Sequence, residues 1–231
     1  DLPICALLGG YRENLPAYAA TVDGAITGPL SSVESFADYA EHCVGLGVHG
    51  FKIHPYPWSD IQMHRRVVEA VGRRVAGRID LMLDSYCHYK TFADALKVGR
   101  ACDDMEYFWY EDPFHDGGIT PFAHRRLREM LRTPLLMGEK VKTLQERMAM
   151  ILEGATDLIR GDAHVDGITG TLKLAHAAES VGMDIELHGG GPAHRHLMAV
   201  IRNSNYYEFG WTHPHVPDYG PPVYKGEYTD G

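Results

Sequence analysis

Three short apolar runs each end in a carboxylate, and their spacing constrains the fold more than any other feature of the chain. Leu81-Met82-Leu83 ends in Asp84, Tyr107-Phe108-Trp109-Tyr110 in Glu111, and Leu135-Leu136-Met137-Gly138 in Glu139. Each run has the length and side chains of a strand buried on both faces. A charge at the end of such a strand is costly unless it is paired or solvated. One acid of this kind is most often a helix cap or a loop residue. These three lie 27 and 28 residues apart, and one strand–helix–strand step takes roughly 30 residues. Three successive strands therefore lift one acid each to the same end of one sheet. In a (β/α)8 barrel that end carries the active site. Three oxygen ligands converging there suit a hard divalent cation, Mg2+ above all, with Mn2+ as the alternative.

The rest of the chain fits the same architecture. Strands are expected at Pro3–Leu8, Gly50–His54, Ile79–Asp84, Glu106–Glu111, Leu135–Glu139, Asp157–Asp162, Met183–His188 and Asn205–Phe209. Helical stripes lie between them. Ser31 with Glu34 reads as a capping box, Ser59 and Thr91 as further caps, and Thr120-Pro121 as a cap followed by a first-turn proline. The helix after Thr120 is expected to bury Phe122, Leu127 and Leu131. Further helices are expected at Thr143–Glu153, Ile168–Val181 and Pro192–Asn203. Eight strands alternating with seven helices predict an α/β fold, a (β/α)8 TIM-type barrel over residues 1–210. Residues 211–231, rich in His, Pro, Gly and Tyr, read as a tail without periodicity.

The other strand ends must then face the same site. Lys52 and His54 are two apart and share one side of the second strand. The sixth strand ends in Asp162 and the seventh in His188. Adjacent strands would bring them together, and a carboxylate that orients an imidazole fixes its tautomer and raises its basicity. The eighth strand offers Glu208. The chain has 14 histidines; His164, His176, His194 and His196 fall in loops or helices and read as structural.

Composition excludes several classes. The formal charge of −9 speaks against a general nucleic-acid footprint. No run of 18 or more apolar residues occurs, so no membrane span is expected. The four cysteines have no CxxC pairing and read as reduced thiols of a cytoplasmic protein. No GxGxxG or GxxxxGK[ST] phosphate loop appears. The expected first strand lacks the HxH pair of barrel metallohydrolases.

With these residues in this order, the chain resembles the barrel domain of the enolase superfamily, and within it the mandelate racemase subgroup. The carriers are Lys52-Ile53-His54, the Asp84, Glu111 and Glu139 triplet, Glu111-Asp112-Pro113, Gly138-Glu139, Gly167-Ile168-Thr169-Gly170, and the Asp162 and His188 pair. The resemblance implies Mg2+ held by Asp84, Glu111 and Glu139, with a substrate carboxylate on that metal. It implies removal of the proton alpha to the carboxylate, giving an enediolate. Glu208 would then be protonated and donate to the carboxylate, Lys52 would touch it, and His54 would take the base position of the second strand. Asp162 and His188 would serve the opposite face. The chain departs from the family where a second lysine often stands at His54, and where Asn often stands at Tyr86. It also lacks a lysine at the sixth strand end. The family's N-terminal capping domain and C-terminal extension are not expected within this chain.

The expected reaction is dehydration of a sugar acid to a 2-keto-3-deoxy acid. A racemase or epimerase of a 2-hydroxy acid is the alternative, and a non-catalytic sugar-acid binding protein a remoter one. The expected partners are a small-molecule carboxylate and further copies of the chain.

Overall fold

The computed structural model describes residues 2–21, 30–55, 60–115 and 120–210. Its strands are β1 (Ala17–Ala20), β2 (Gly50–Ile53), β3 (Asp80–Asp84), β4 (Trp109–Glu111), β5 (Leu135–Met137), β6 (Leu158–Gly161), β7 (Asp184–Leu187) and β8 (Tyr207–Gly210). After a short α1 (Ile4–Leu7), the helices are α2 (Val33–Gly45), α3 (Ile61–Val75), α4 (Phe92–Asp104), α5 (Pro121–Arg128), α6 (Leu144–Leu152), α7 (Ala163–Ser180) and α8 (Pro192–Met198). All strand pairs are parallel, in the order β7-β6-β5-β4-β3-β2-β1-β8. The two ends of this ladder are drawn together as a seam. The Ile185 N–H donates to the Asn203 carbonyl at 2.8 Å, and the Asn205 amide donates to Glu186 at 2.7 Å and to Asp184 at 3.0 Å. The chain is thus an α/β barrel, nearly closed.

The period of two along each strand sorts its side chains. One set (Ala19, Phe51, Ile53, Leu81, Leu83, Tyr110, Leu135, Ile159, Ile185 and Leu187) faces the helices and is buried against them. The alternate set points inward. Its lower layer is apolar: Tyr18, Met82, Trp109, Leu136 and Leu158 pack as one cluster, with the Tyr18 and Trp109 rings edge to face at 5.4 Å. Its upper layer is charged and carries the site.

Several expectations are corrected. Pro3–Leu8 is not a strand: Ile4–Leu7 is a helical turn, with Leu2 and Leu7 about two-thirds exposed. The first strand is Ala17–Ala20, an alanine-rich segment of low strand propensity, which pairs on both sides with β2 and β8. The cap of α2 is Ser32 in a box with Ser35, rather than Ser31 with Glu34. Asp60 caps α3; Ser59 lies outside the described residues. Phe122 is exposed, because the buried face of α5 runs through His124 and Leu127 and Phe122 falls off that stripe. Helix α7 begins directly after Asp162, whose carboxylate accepts the His164 N–H at 2.7 Å, and it kinks at Gly167 (φ 64°) before the stretch expected to be helical. The tail, 211–231, lies outside the described residues. The four cysteines are free, and no described helix is long and apolar enough to cross a membrane.

Candidate active site

The parallel register places the acids before any side-chain detail is needed. Asp84 and Glu111 are direct partners across β3 and β4, and both are buried. Glu139 follows β5 after Gly138, whose φ of 117° turns the chain toward the mouth of the barrel. A Cβ there would sit 3.1 Å from Ile159 Cδ1 and 3.4 Å from the Arg160 carbonyl, so the turn also depends on the missing side chain. One oxygen from each of Asp84, Glu111 and Glu139 lies within 4.8 Å of the others. An octahedral Mg2+ with bonds of about 2.0–2.1 Å needs oxygens roughly 3–4 Å apart.

Cations surround the trio. Lys52 Nζ stands 2.7 Å from Glu208, 3.2 Å from Glu111 and 3.4 Å from Asp84. Burial favours its neutral form, but Glu111 and Glu208 outweigh burial and push its pKa well above the ordinary lysine value. Lys52 is therefore a fixed cation. His54 Nε2 lies 3.0 Å from Asp84 Oδ2; burial opposes its charged form, yet Asp84 raises its pKa above the usual imidazole range. Asp84 in turn is held well below the usual carboxylate range, because His54 and Lys52 overcome its own burial. Glu208 is likewise held as a carboxylate: burial pushes it up, and Lys52 and Arg160 outweigh that. The Lys52 ammonium at 2.7 Å favours that carboxylate form.

Arg160 does not stand out in the sequence, yet it is central to the site. Its guanidinium is buried and grips Glu111 with two hydrogen bonds of 2.6 Å, and it reaches Tyr18 Oη at 3.3 Å. A signal is present all the same: a charge inside the apolar run Leu158-Ile159-Arg160-Gly161 must have a buried partner. Lys140, equally inconspicuous, contacts Glu139 and lies over the Tyr86 ring at 4.7 Å.

Asp112 provides the test of whether an ion fits. It is 1% exposed, adopts φ 40°, and neither carboxylate oxygen has a hydrogen-bond partner among the described residues. Unpaired buried carboxylates are rare because desolvation is so costly. Burial, and then the neighbouring Glu111 and Glu139, pushes the Asp112 pKa well above the carboxylate range, the mark of acids crowded together in a buried site. A divalent ion would relieve that crowding of acids, and an all-oxygen donor set suits Mg2+.

On the far side, Asp162 Oδ2 and His188 Nδ1 lie 3.0 Å apart. His188 Nε2 is thereby turned toward the acids, 3.6 Å from Glu139. Burial disfavours the imidazolium, but Asp162 followed by Glu208 and Glu139 lifts the His188 pKa above its ordinary value. Asp162 is itself held far below the carboxylate range; bonds from His188 and His194 outweigh its burial. His164 and His194, read as structural, both stand against Asp162.

A parallel (β/α)8 barrel with three carboxylates and an Asp–His pair at the carboxyl ends of its strands is the class that this fold and site define. The family model described as "Enolase C-terminal domain-like" matches residues 35–230, and the chain belongs to that family. Among curated relatives, the L-talarate/galactarate dehydratase of Salmonella typhimurium is 28% identical over 218 residues, covering 92% of this chain and 52% of the relative. The D-gluconate dehydratase of Thermoproteus tenax is 26% identical over 195 residues, covering 80% and 38%. The crystal structure of D-glucarate dehydratase from Agrobacterium tumefaciens complexed with magnesium superposes with a TM-score of 0.85 at 31% identity, covering 93% of this chain and 57% of that one. The chain spans about half the length, or less, of the curated relatives it matches.

Proposed function

We propose that the protein containing this barrel is a Mg2+-dependent dehydratase that converts a sugar acid to a 2-keto-3-deoxy acid. The observation that carries the reading is the Asp162–His188 pair, whose second imidazole nitrogen, Nε2, faces the acid trio. Asp84, Glu111 and Glu139 would hold the ion, which when bound supplies positive charge opposite the substrate carboxylate. Lys52, kept cationic by its acidic neighbours, adds a second positive charge where electron density accumulates.

In its neutral form, which a bound cation would favour by offsetting the Glu208 and Glu139 charges that raise its pKa, His188 donates Nδ1–H to Asp162 and takes the alpha proton on Nε2. The resulting imidazolium returns that proton to the beta hydroxyl, which departs as water. The remaining enol becomes the 2-keto acid. Asp162 fixes the tautomer and stabilises the imidazolium between the two steps. Dehydration needs one such group, whereas racemisation needs a competent base on each face. His54 is bonded through Nε2 to Asp84 and its Nδ1 is buried, so neither nitrogen is open to a substrate, which favours dehydration.

The test is the full-length protein with Mg2+ and a panel of aldonic and aldaric acids, followed for 2-keto-3-deoxy acid and, in D2O, for alpha-proton exchange by NMR. Keto-acid formation is the expected result. Exchange with epimer formation and no loss of water would replace the dehydratase with a racemase.

A further inference from the structure

One carboxylate oxygen in the site is crowded in a way that the acid–base reading does not account for. Asp162 Oδ2 serves His188. The other oxygen, Oδ1, caps α7 through the His164 N–H at 2.7 Å, and it also faces two imidazole nitrogens: His194 Nε2 at 3.2 Å and His164 Nδ1 at 3.3 Å. His194 is fully buried. Its Nε2 accepts the Ala163 N–H at 3.1 Å, so in that tautomer the nitrogen carries a lone pair. The same nitrogen stands 3.2 Å from Asp162 Oδ1: it donates to that oxygen in the tautomer protonated at Nε2, and in the tautomer that accepts from Ala163 it carries the lone pair that a cation between the two would take over.

The geometry is that of a tetrahedral metal. Zinc bonds to nitrogen and oxygen of about 2.0–2.1 Å place neighbouring ligand atoms roughly 3.3 Å apart, which is the separation of both imidazole nitrogens from Oδ1. All three donor atoms lie within 4.8 Å of one another. The two rings are 4.7 Å apart, inclined at 47°, and His164 is 68% exposed, which leaves an open path and a fourth position for water. Two imidazoles and one carboxylate are a borderline donor set that prefers Zn2+ or Co2+ to Mg2+, whereas the all-carboxylate trio prefers Mg2+.

We propose that Asp162, His164 and His194 form a second metal site, selective for Zn2+-type ions, whose occupation pulls Asp162 away from His188 and silences the acid–base pair. The silencing rests on the dehydratase reading; the binding does not. The sequence offers the reason for the placement: His164 follows Asp162 by two residues at the start of α7, and His194 sits in α8, which packs beside it.

The experiment uses the full-length protein saturated with Mg2+, titrated with Co2+ and followed by visible absorption. Tetrahedral Co2+ gives intense visible bands; octahedral Co2+ on carboxylates gives weak ones. The native protein is expected to develop the intense bands, and His164→Asn to lose them with at least about a tenfold drop in Zn2+ affinity. His164→Asn keeps the backbone N–H that caps Asp162, so its Mg2+-supported turnover is expected to be unchanged. Zn2+ should then inhibit the native protein and spare the variant. Weak bands only, or intense bands that persist in His164→Asn, would overturn the site. Equal inhibition of both proteins would overturn the silencing. Absence of turnover altogether would count against the dehydratase reading and leave the Co2+ spectrum as the judge of the metal site.

Discussion

Replacing Arg160 by Met tests the charge balance beneath the site. The side chain is 1% exposed and holds Glu111, which is 0% exposed, by two bonds of 2.6 Å. Methionine keeps most of the volume and removes the charge. Glu111 then retains Lys52 at 3.2 Å as its nearest cation. Removing one partner of a buried ion pair costs about 3–5 kcal/mol, because the other charge stays buried and uncompensated. The lost bond to Tyr18, at 3.3 Å, adds at most about 1 kcal/mol. A loss of about 4 kcal/mol is therefore expected in Mg2+-free buffer, measured by equilibrium urea unfolding. If the cost arises from the stranded charge, Arg160→Met combined with Glu111→Gln should lose about 2 kcal/mol less than the sum of the single changes, since contacting residues couple on this scale. Mg2+ should also stabilise Arg160→Met more than the native protein, because the Glu111 oxygens are no longer shared with a guanidinium. Ligand at 100 times its dissociation constant contributes about 2.7 kcal/mol in the native case. A variant within about 1 kcal/mol of native without Mg2+, or strict additivity in the double variant, would refute the reasoning.

Two further outcomes are expected. Burial lifts the Glu186 carboxyl from 4.5 to about 7, against the opposing bonds from Asn205. The native state then binds more protons than the unfolded state between those values, so stability falls as pH rises through that window, by about 3 kcal/mol in all. Glu186→Gln should flatten that dependence and exceed native stability at pH 8; parallel stability–pH curves would refute it. His188→Asn is expected to abolish alpha-proton exchange while Mg2+ affinity, read by calorimetry, stays within a few-fold; exchange that survives would move the base to the Lys52 and His54 side.

The acids of β3, β4 and β5 are legible in the chain because a charge ending an apolar run is rare, and three such runs at one spacing fit little besides a repeated strand–helix unit. The Asp162–His188 pair is legible from strand adjacency alone. Strand β1 is not: Ala17-Tyr18-Ala19-Ala20 has neither branched side chains nor apolar contrast, while Ile4-Cys5-Ala6-Leu7 has both. Small residues suit β1 because it is buried and flanked by β2 and β8, a tertiary demand that no local pattern reports. Arg160 escapes notice because a lone arginine in a strand looks like a solvated one until its inward parity is counted from Asp162. His164 and His194 escape for the same reason in reverse. Their helical positions suggest distance from the site, but the start of α7 and the start of α8 both open at the carboxyl end of the barrel, and Asp162 is the residue that caps α7.

The seam between β7 and β8 has a mechanical consequence. Every other junction of the barrel is a ladder of main-chain bonds, while this one is held by Asn205 on Asp184 and Glu186, by Ile185 on Asn203, and at its top by Glu208 accepting the Gly189 N–H. A barrel joined this way behaves as a split ring, stiff around most of its circumference and compliant at one gap. His188 stands on one lip and Glu208 on the other. Any load that spreads the ring therefore changes the distance between the proposed base and the Lys52–Glu208 pair first, and leaves the acid trio, further round the ring, at its original spacing.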